Sequence, residues 1–295
     1  MLVDTHCHIH ESDYPINGDD VIERAHQSGV MQMICIGTNM ADSKLAIDFA
    51  AKHDGVFASV GIHPHYAKEG IGGLENIVEL LYSRKHLQPE FDKAPGPLSD
   101  PARSRFLNKR SRQCDLTHNR KLVAIGEIGL DYHYDNSPRD NQIKILKSQI
   151  ELALRYDLPI IFHVREAYDD FWKVLDSFKS DKRQIRGVLH CFTDTMENAE
   201  KGIKRGLYIA VNGISTFTKD ENQTEMFAKI PLDKLLFETD APYLTPFPLR
   251  GKVKVKVNEP AYVKNIAEYN STIHQIPFDE IADVTTTNAR KLFNI

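Results

Sequence analysis

The sequence lacks the features that mark secreted, membrane-spanning or disulfide-stabilised proteins. It has only four cysteines, Cys7, Cys35, Cys114 and Cys191, and they are scattered without a CxxC pair. This spacing favours reduced thiols over a disulfide framework. The chain does not open with a basic segment followed by an apolar one, and it has no run of about 18 apolar residues that could cross a bilayer. We therefore expect a soluble protein of the cytoplasm, with the nucleus as a second compartment and no membrane partner.

The chain also lacks an excess of positive charge. Its 37 Lys and Arg residues are balanced by 41 Asp and Glu residues, so the formal net charge is −4. This balance argues against a surface that coats duplex nucleic acid, although a local positive site or a bound metal is compatible with it. Hydrophobic residues (41%) and charged residues (26%) occur in proportions typical of globular proteins.

Short apolar runs alternate with longer amphipathic segments along the chain. Eight runs predict strands: Leu2–Asp4, Met31–Gly37, Val56–Ile62, Leu122–Glu127, Pro159–Val164, Gly187–Cys191, Leu207–Asn212 and Leu235–Asp240. Nine segments predict helices: Asp19–Ser28, Ala41–His53, Gly73–Ser83, Arg139–Tyr156, Ala167–Phe178, Met196–Arg205, Asn222–Lys229, Pro260–Tyr269 and Phe278–Phe293. Apolar strands separated by helices indicate a parallel sheet covered on both faces. Eight such units predict an α/β fold, a (β/α)8 TIM barrel, as a single domain over residues 1–295. A doubly wound open sheet is the alternative, although no GxGxxG follows the first strand.

One segment does not follow this alternation. Residues 84–120 contain four prolines and few apolar residues, and nine Lys and Arg against four Asp and Glu give the segment a net charge of +5. We interpret it as a long, flexible insertion between helix 3 and strand 4 of the barrel. An arm that contacts polyanions is the functional alternative.

Ionisable side chains stand where the predicted strands end. His6 and His8 lie two apart after the first apolar run, so in an extended chain both imidazoles point to the same side. Later strand ends carry Glu127, His163, His190 and Asp240. In a (β/α)8 barrel the C-terminal ends of all strands meet at one mouth.

A structural role is the ordinary explanation for any one of these six residues, since a single histidine can be hydrogen-bonded in the core and Asp240 can cap a helix. Burying all six side chains without a partner would cost on the order of several kcal/mol for each of them. A bound cation supplies that partner. The number of donors suggests two divalent ions bridged by Glu127. His6, His8 and Asp240 would hold one ion, and His163 and His190 the other. Mixed nitrogen and oxygen donors suit Zn, Mn, Fe or Co.

The sequence resembles the TatD family of metal-dependent deoxyribonucleases, within the amidohydrolase-like barrels. The resemblance covers nearly the whole chain and rests on these stretches, in this order: Asp4–His8, Gly61–Pro64, Gly126–Asp131, His163–Arg165, His190–Phe192, Glu238–Leu244, Pro248–Lys252 and Asn258–Pro260. It implies a TIM barrel, a divalent-metal site and hydrolysis of phosphodiester bonds in DNA, often as a 3′→5′ exonuclease. The ligand set carried over is His6, His8, Glu127, His163, His190 and Asp240. Family members are often described as Mg-dependent, so the metal stays open among Zn, Mn and Mg. The departure from the family is the insertion at 84–120.

The expected mechanism is attack of a metal-activated water on phosphorus, with Asp240 as general base and Glu127 as bridging carboxylate. A role for Asp240 as a ligand only is the alternative. Four further residues are candidates for binding phosphate or the leaving group: His63, His65, Arg165 and Arg250. Structural hydrogen bonding or simple solvation is the alternative for each of them.

The expected partner is DNA, as a single strand or a strand end that reaches the metals. Five aromatic residues lie near the predicted site, and one or two of them can stack on a splayed base: Tyr132, Phe192, Phe217, Tyr243 and Phe247. Core packing is the alternative for most of them.

Two other functions fit the same sequence. One is another metallohydrolase of the amidohydrolase superfamily that cleaves a lactone, an amide or a phosphotriester. The other is a non-enzymatic role, in which the barrel is a binding platform in DNA fragmentation or repair. Glu127 stands where a carbamylated lysine bridges the metals in some of those hydrolases, and this favours the nuclease.

Overall fold

The computed structural model describes residues 1–81, 121–134, 136–179, 183–252 and 257–295. Its centre is a parallel sheet of eight strands that follow one another in chain order. The strands are β1 Leu2–Cys7, β2 Val30–Ile36, β3 Val56–Val60, β4 Leu122–Asp131, β5 Ile160–Arg165, β6 Gly187–Leu189, β7 Tyr208–Val211 and β8 Leu235–Phe237. The predicted (β/α)8 barrel is confirmed, and the open doubly wound sheet is excluded by this strand order.

The sheet closes where the chain beyond β8 meets β1. Cys7 and Ala241 form a parallel bridge, and the backbone N–H of His8 donates to the carbonyl of Ala241 at 2.7 Å. Asp4 adds a side-chain contact, because its carboxyl oxygens lie 2.9 Å from the backbone N of Thr239 and 2.5 Å from the Thr239 Oγ1. These contacts hold the first and last strand ends together at the mouth of the barrel.

The helices cover the outside of the sheet. They are α1 Gly18–Gln27, α2 Met40–Lys52, α3 at 74–81, α4 Arg139–Arg155, α5 Tyr168–Asp176, α6 Met196–Lys204, α7 Glu221–Lys229, α8 Val263–Ile273 and α9 Phe278–Phe293. Several helices are capped by the side chain of the residue that precedes them. Asn17 and Asn39 accept hydrogen bonds from backbone N–H groups in the first turns of α1 and α2. No helix of the described residues is long and apolar enough to span a bilayer.

Alternating residues of each strand divide the core into two layers. Ile34 and Ile36 belong to the layer that also contains Leu292 and Phe293 of α9, whereas Met33 and Cys35 belong to the larger layer beneath the helices. This alternation follows from the two-residue period of a strand. Strands buried on both faces explain why the sequence shows continuous apolar runs.

Some predicted ends differ from the structure. β6 and β8 stop at Leu189 and Phe237, so His190 and Asp240 lie just beyond the strands. The chain turns there because Cys191 and Asp240 adopt positive φ angles of 47° and 57°, which an extended strand cannot accommodate. The predicted helix Pro260–Tyr269 begins as a 3-10 turn, and α8 continues to Ile273. The predicted insertion at 84–120, between α3 and β4, lies outside the described residues.

Candidate metal centre

The end of β1 presents two histidines to the same space. His6 Nε2 and His8 Nε2 lie 3.2 Å apart, as expected for residues two apart on a strand. Asp240 reaches them from beyond β8, and its Oδ1 lies 3.6 Å from each of these nitrogens. The backbone N–H of Asp240 donates to the carbonyl of His6 at 2.9 Å, so barrel closure fixes the position of this carboxylate.

Glu127 on β4 lies at the centre of the histidines. Its Oε1 is 2.8 Å from His163 Nδ1 and 3.0 Å from His190 Nε2, and its Oε2 is 3.4 Å from His6 Nε2. Burial by itself would raise the pKa of Glu127. The charge of His190 and the hydrogen bonds from His163 and His190 instead hold the pKa well below its usual value. Glu127 is therefore an ionised carboxylate in a buried position.

Two further carboxylates hold the outer nitrogens of the imidazoles. Asp131 Oδ2 lies 3.0 Å from His163 Nε2, and Glu238 Oε1 lies 3.1 Å from His190 Nδ1. Each ring therefore faces Glu127 with one nitrogen and its own carboxylate with the other, an arrangement that fixes tautomer and ring orientation in metal sites.

Sequence reasoning gave Asp131 and Glu238 no role, although both stand in the motifs that carry the family resemblance. A signal was present for Asp131, which is four residues after Glu127 on the same strand and so faces the same side. No comparable spacing relates Glu238 to His190, because the two residues follow β8 and β6 and meet only through the fold.

The loop after β3 brings His63 and His65 to the same cluster. His63 Nε2 lies 3.5 Å from Glu127 Oε1, and its ring packs edge-on against His163 at 4.5 Å between centroids. Burial lowers the pKa of His63 to about 4, so this imidazole is neutral near pH 7. His65 Nε2 contacts Asp131 Oδ2 at 3.1 Å. A phosphate-binding role for the two histidines stays a prediction, and the structure places His63 among the possible ligands.

The two predicted arginines have different positions. Arg165 ends β5 and lines the cavity above the cluster, and its guanidinium lies 4.9 Å from the centre of the Tyr134 ring. Arg250 is exposed on the loop after β8, and its guanidinium lies 4.1 Å from the centre of the Phe217 ring. Only Arg165 is within the lining of the cavity.

The donor geometry fits a divalent cation. Three groups of three side chains bring one possible ligand atom each to within 4.8 Å of the others: His6, His190 and Asp240; His6, His8 and Glu127; His63, Glu127 and His163. Together they contain all six predicted ligands and add His63. The buried Nδ1 atoms of His6 and His8 have no hydrogen-bond partner within the described part of the chain. Imidazole nitrogens and carboxylate oxygens that converge in this way are the donors of Zn and Mn sites.

A cavity of about 710 Å³ opens above the cluster. Its lining includes side chains of the cluster, Arg165 and three tyrosines, Tyr66, Tyr134 and Tyr243. A substrate can therefore reach the donor atoms from solvent at the C-terminal mouth of the barrel, where active sites of this fold lie.

Barrel, mouth and donor set together define a metal-dependent hydrolase of the TIM-barrel class. The sequence model described as TatD related DNase matches residues 3–294. The chain belongs to this family, and the predicted resemblance is confirmed.

Curated relatives support the same membership over their full length. The chain is 34% identical to the uncharacterized metal-dependent hydrolase YabD of Bacillus subtilis, with 100% of both proteins covered. It is 30% identical to the 3′-5′ ssDNA/RNA exonuclease TatD of Erwinia tasmaniensis, again with 100% of both covered. Among solved structures, the TatD homolog YjjV of Escherichia coli superposes with a TM-score of 0.75 at 28% identity, covering 100% of this chain and 98% of that one.

Proposed function

We propose that this protein is a metal-dependent nuclease that hydrolyses phosphodiester bonds in single-stranded nucleic acid, with DNA as the main substrate, from the 3′ end of the strand. The observation that carries the proposal is the convergence of four histidines and Asp240 around Glu127 at the open mouth of the barrel. Family relatives named as 3′-5′ ssDNA/RNA exonucleases support the choice of substrate.

Two metal positions share Glu127 in this proposal. His6, His8 and Asp240 would hold one cation, and His163 and His190 would hold the other, with His63 as a further donor on that side. Glu127 is placed to serve both, since its Oε2 lies 3.4 Å from His6 Nε2 and its Oε1 lies 2.8 Å from His163 Nδ1. A pair of divalent cations held there would supply Lewis-acid stabilisation of the phosphoryl oxygens and would make water a better nucleophile near neutral pH. Zn or Mn suits the nitrogen-rich donors, and Mg is the third candidate.

The side chains have separate tasks in the reaction. Asp240 receives the proton of the attacking water, because it lines the cavity and its side chain is 16% exposed, whereas Glu127 is 6% exposed. Burial acts to raise the pKa of Asp240, but the hydrogen bond to His8 and the charges of His6 and His190 lower it, so the carboxylate is ionised and able to accept. Glu127 stays in place and orients the histidines.

Arg165 contacts the phosphate backbone at the rim. Among the described residues it is the one arginine in the lining of the cavity, and its stacking on Tyr134 fixes the guanidinium near the entrance. A guanidinium offers several N–H donors in a planar fork, which suits phosphate oxygens.

The test is a nuclease assay on single-stranded oligonucleotides labelled at the 3′ or the 5′ end, with metal-loaded and chelator-treated protein. His163→Ala removes a ligand, and His53→Ala is the matched control, because His53 lies at the end of α2 and bonds Asp19. We expect the 5′-labelled strand to shorten stepwise, the 3′ label to be released early, and only His163→Ala to be inactive. The proposal would be contradicted if the protein hydrolysed lactones or phosphotriesters and left DNA uncleaved.

A further inference from the structure

Exposed aromatic side chains are concentrated at one end of the barrel. Within the described residues, the exposed aromatics are Tyr66, Tyr134, Tyr243 and Phe247. They follow the C-terminal ends of β3, β4 and β8, so all four stand on the loops of the mouth. Leaving a large apolar ring in water is unfavourable, and such rings clustered around a cavity mark a binding surface.

Tyr134 and Tyr243 stand on opposite sides of this mouth. They follow β4 and β8, which are four strands apart in a closed barrel of eight. Tyr134 packs edge-on against His65, with ring centroids 5.4 Å apart, and Tyr243 packs against His8 at 6.4 Å. The cluster of metal ligands therefore lies between the two tyrosines.

Both rings are exposed but fixed at their backbones. Tyr134 is 54% exposed and Tyr243 is 58% exposed, and each lines the cavity. The backbone N–H of Tyr134 donates to Asp131 Oδ1 at 3.2 Å, and that of Tyr243 donates to the carbonyl of Asp240 at 2.8 Å. Each ring is thus anchored to a residue of the cluster.

We propose that Tyr134 and Tyr243 are two nucleobase-stacking subsites on either side of the scissile phosphodiester. The proposal rests on the nuclease function above and adds how the strand is held. An aromatic ring stacks on the face of any base without reading its sequence, and Arg165 behind Tyr134 pairs with the adjoining phosphate. A base in a duplex has both faces covered by its neighbours. The enzyme therefore requires an unpaired nucleotide on each side of the bond that it cleaves.

Four variants and three substrates test this arrangement. Tyr134→Ala and Tyr243→Ala remove a ring, and Tyr134→Phe and Tyr243→Phe keep it as matched controls. The first substrate is a single-stranded oligonucleotide, and the second is the same strand with an abasic residue at one or other nucleotide flanking the cleaved linkage. The third is the same strand with abasic residues on both sides of the cleaved linkage, which offers no base to either ring. Affinity is measured by fluorescence anisotropy with phosphorothioate oligonucleotides, which are cleaved slowly. The value of kcat/KM is measured with unmodified oligonucleotides.

We expect each alanine variant to lose about 5- to 10-fold in affinity and kcat/KM for the normal strand, a loss at the lower end of the range for base–aromatic stacking. The phenylalanine variants should match the wild type, and all variants should bind the same amount of Zn as the wild type. On a strand that lacks one flanking base, Tyr134→Ala should bind as the wild type does, and on a strand that lacks the other base, Tyr243→Ala should do so. This follows because removing a ring costs nothing more once the base that it contacts is absent.

The inference is overturned if the alanine variants bind and cleave normally, if their losses persist on abasic strands, or if both tyrosines couple to the same nucleotide. Failure of the nuclease proposal has a different signature, because wild-type protein would then cleave none of the three substrates.

Discussion

Replacing Glu238 by glutamine tests how far His190 depends on the carboxylate behind it. Glu238 is 1% exposed, and its Oε1 contacts His190 Nδ1 at 3.1 Å and the backbone N of Cys191 at 2.7 Å. Glutamine has nearly the same shape but no charge. The substitution therefore changes the electrostatics of these contacts and leaves the packing intact.

The magnitude follows from the two close contacts. A hydrogen bond to a charged group contributes about 1 kcal/mol more than a neutral one, so the loss of charge should lower the free energy of unfolding by about 2 kcal/mol. His190 also loses the charged acceptor that fixes its tautomer with Nε2 towards Glu127, and is left with the weaker amide oxygen of glutamine. Substitution of such outer partners lowers metal affinity by about 10- to 100-fold.

The assay is titration of metal-free protein with Zn in competition with a chromogenic chelator, together with urea unfolding of the metal-free forms. Glu259→Gln is the matched control, since Glu259 is also buried but bonds Arg24 at 2.7 Å, away from the cluster. It should lose stability and keep its metal affinity. If Glu238→Gln loses stability but binds Zn as tightly as wild type, Glu238 supports only the fold and the reasoning is refuted.

Three other predictions concern the proton acceptor, the phosphate contact and the closure of the barrel. Asp240→Asn should lower kcat by about 100-fold or more if it accepts the proton; full turnover at full metal content would contradict that role. Arg165→Ala should raise KM for DNA and reduce the slope of log affinity against log salt by about 1, whereas the same change at Arg250, outside the cavity lining, should do neither; equal effects of the two changes would refute the distinction. Thr239→Val removes the 2.5 Å contact with Asp4 and should lower the free energy of unfolding by about 1–3 kcal/mol in urea; an unchanged midpoint would show that this contact does not stabilise the closure.

The fold was predictable because one pattern governs the whole chain. Eight apolar runs separated by amphipathic segments admit few arrangements, and the run at 2–4 correctly marked the start of β1. The predicted strands that correspond to β6 and β8 extend too far at their C-terminal ends. The positive φ angles at Cys191 and Asp240 depend on contacts across the mouth and not on local propensity.

The six candidate ligands could be proposed from the sequence for the same reason that the fold could. A barrel brings every strand end to one mouth, so a residue's position along its strand was enough to bring His6 and His163 together. The sequence did not reveal which pairs of side chains are in contact. Contacts such as Glu238 with His190 join residues 48 positions apart, and only the folded chain orients them.

The aromatic residues show the same limit. Phe192 is 2% exposed and packs in the core, whereas Tyr134 is 54% exposed at the rim. Both residues follow apolar strands in the sequence, and they are distinguished only by the exposed fraction of each side chain in the folded protein. Tyr134 was not among the aromatics predicted near the site.

The central claim is that Glu127 joins two cation sites at the mouth of the barrel. The most direct test is the number of Zn or Mn ions bound per chain after equilibrium dialysis, for wild type and for Glu127→Gln. We predict about two ions in the wild type, as in two-metal hydrolytic sites, and fewer than one in the variant. A wild type that retains no metal, or a variant that retains the full complement, would contradict the claim.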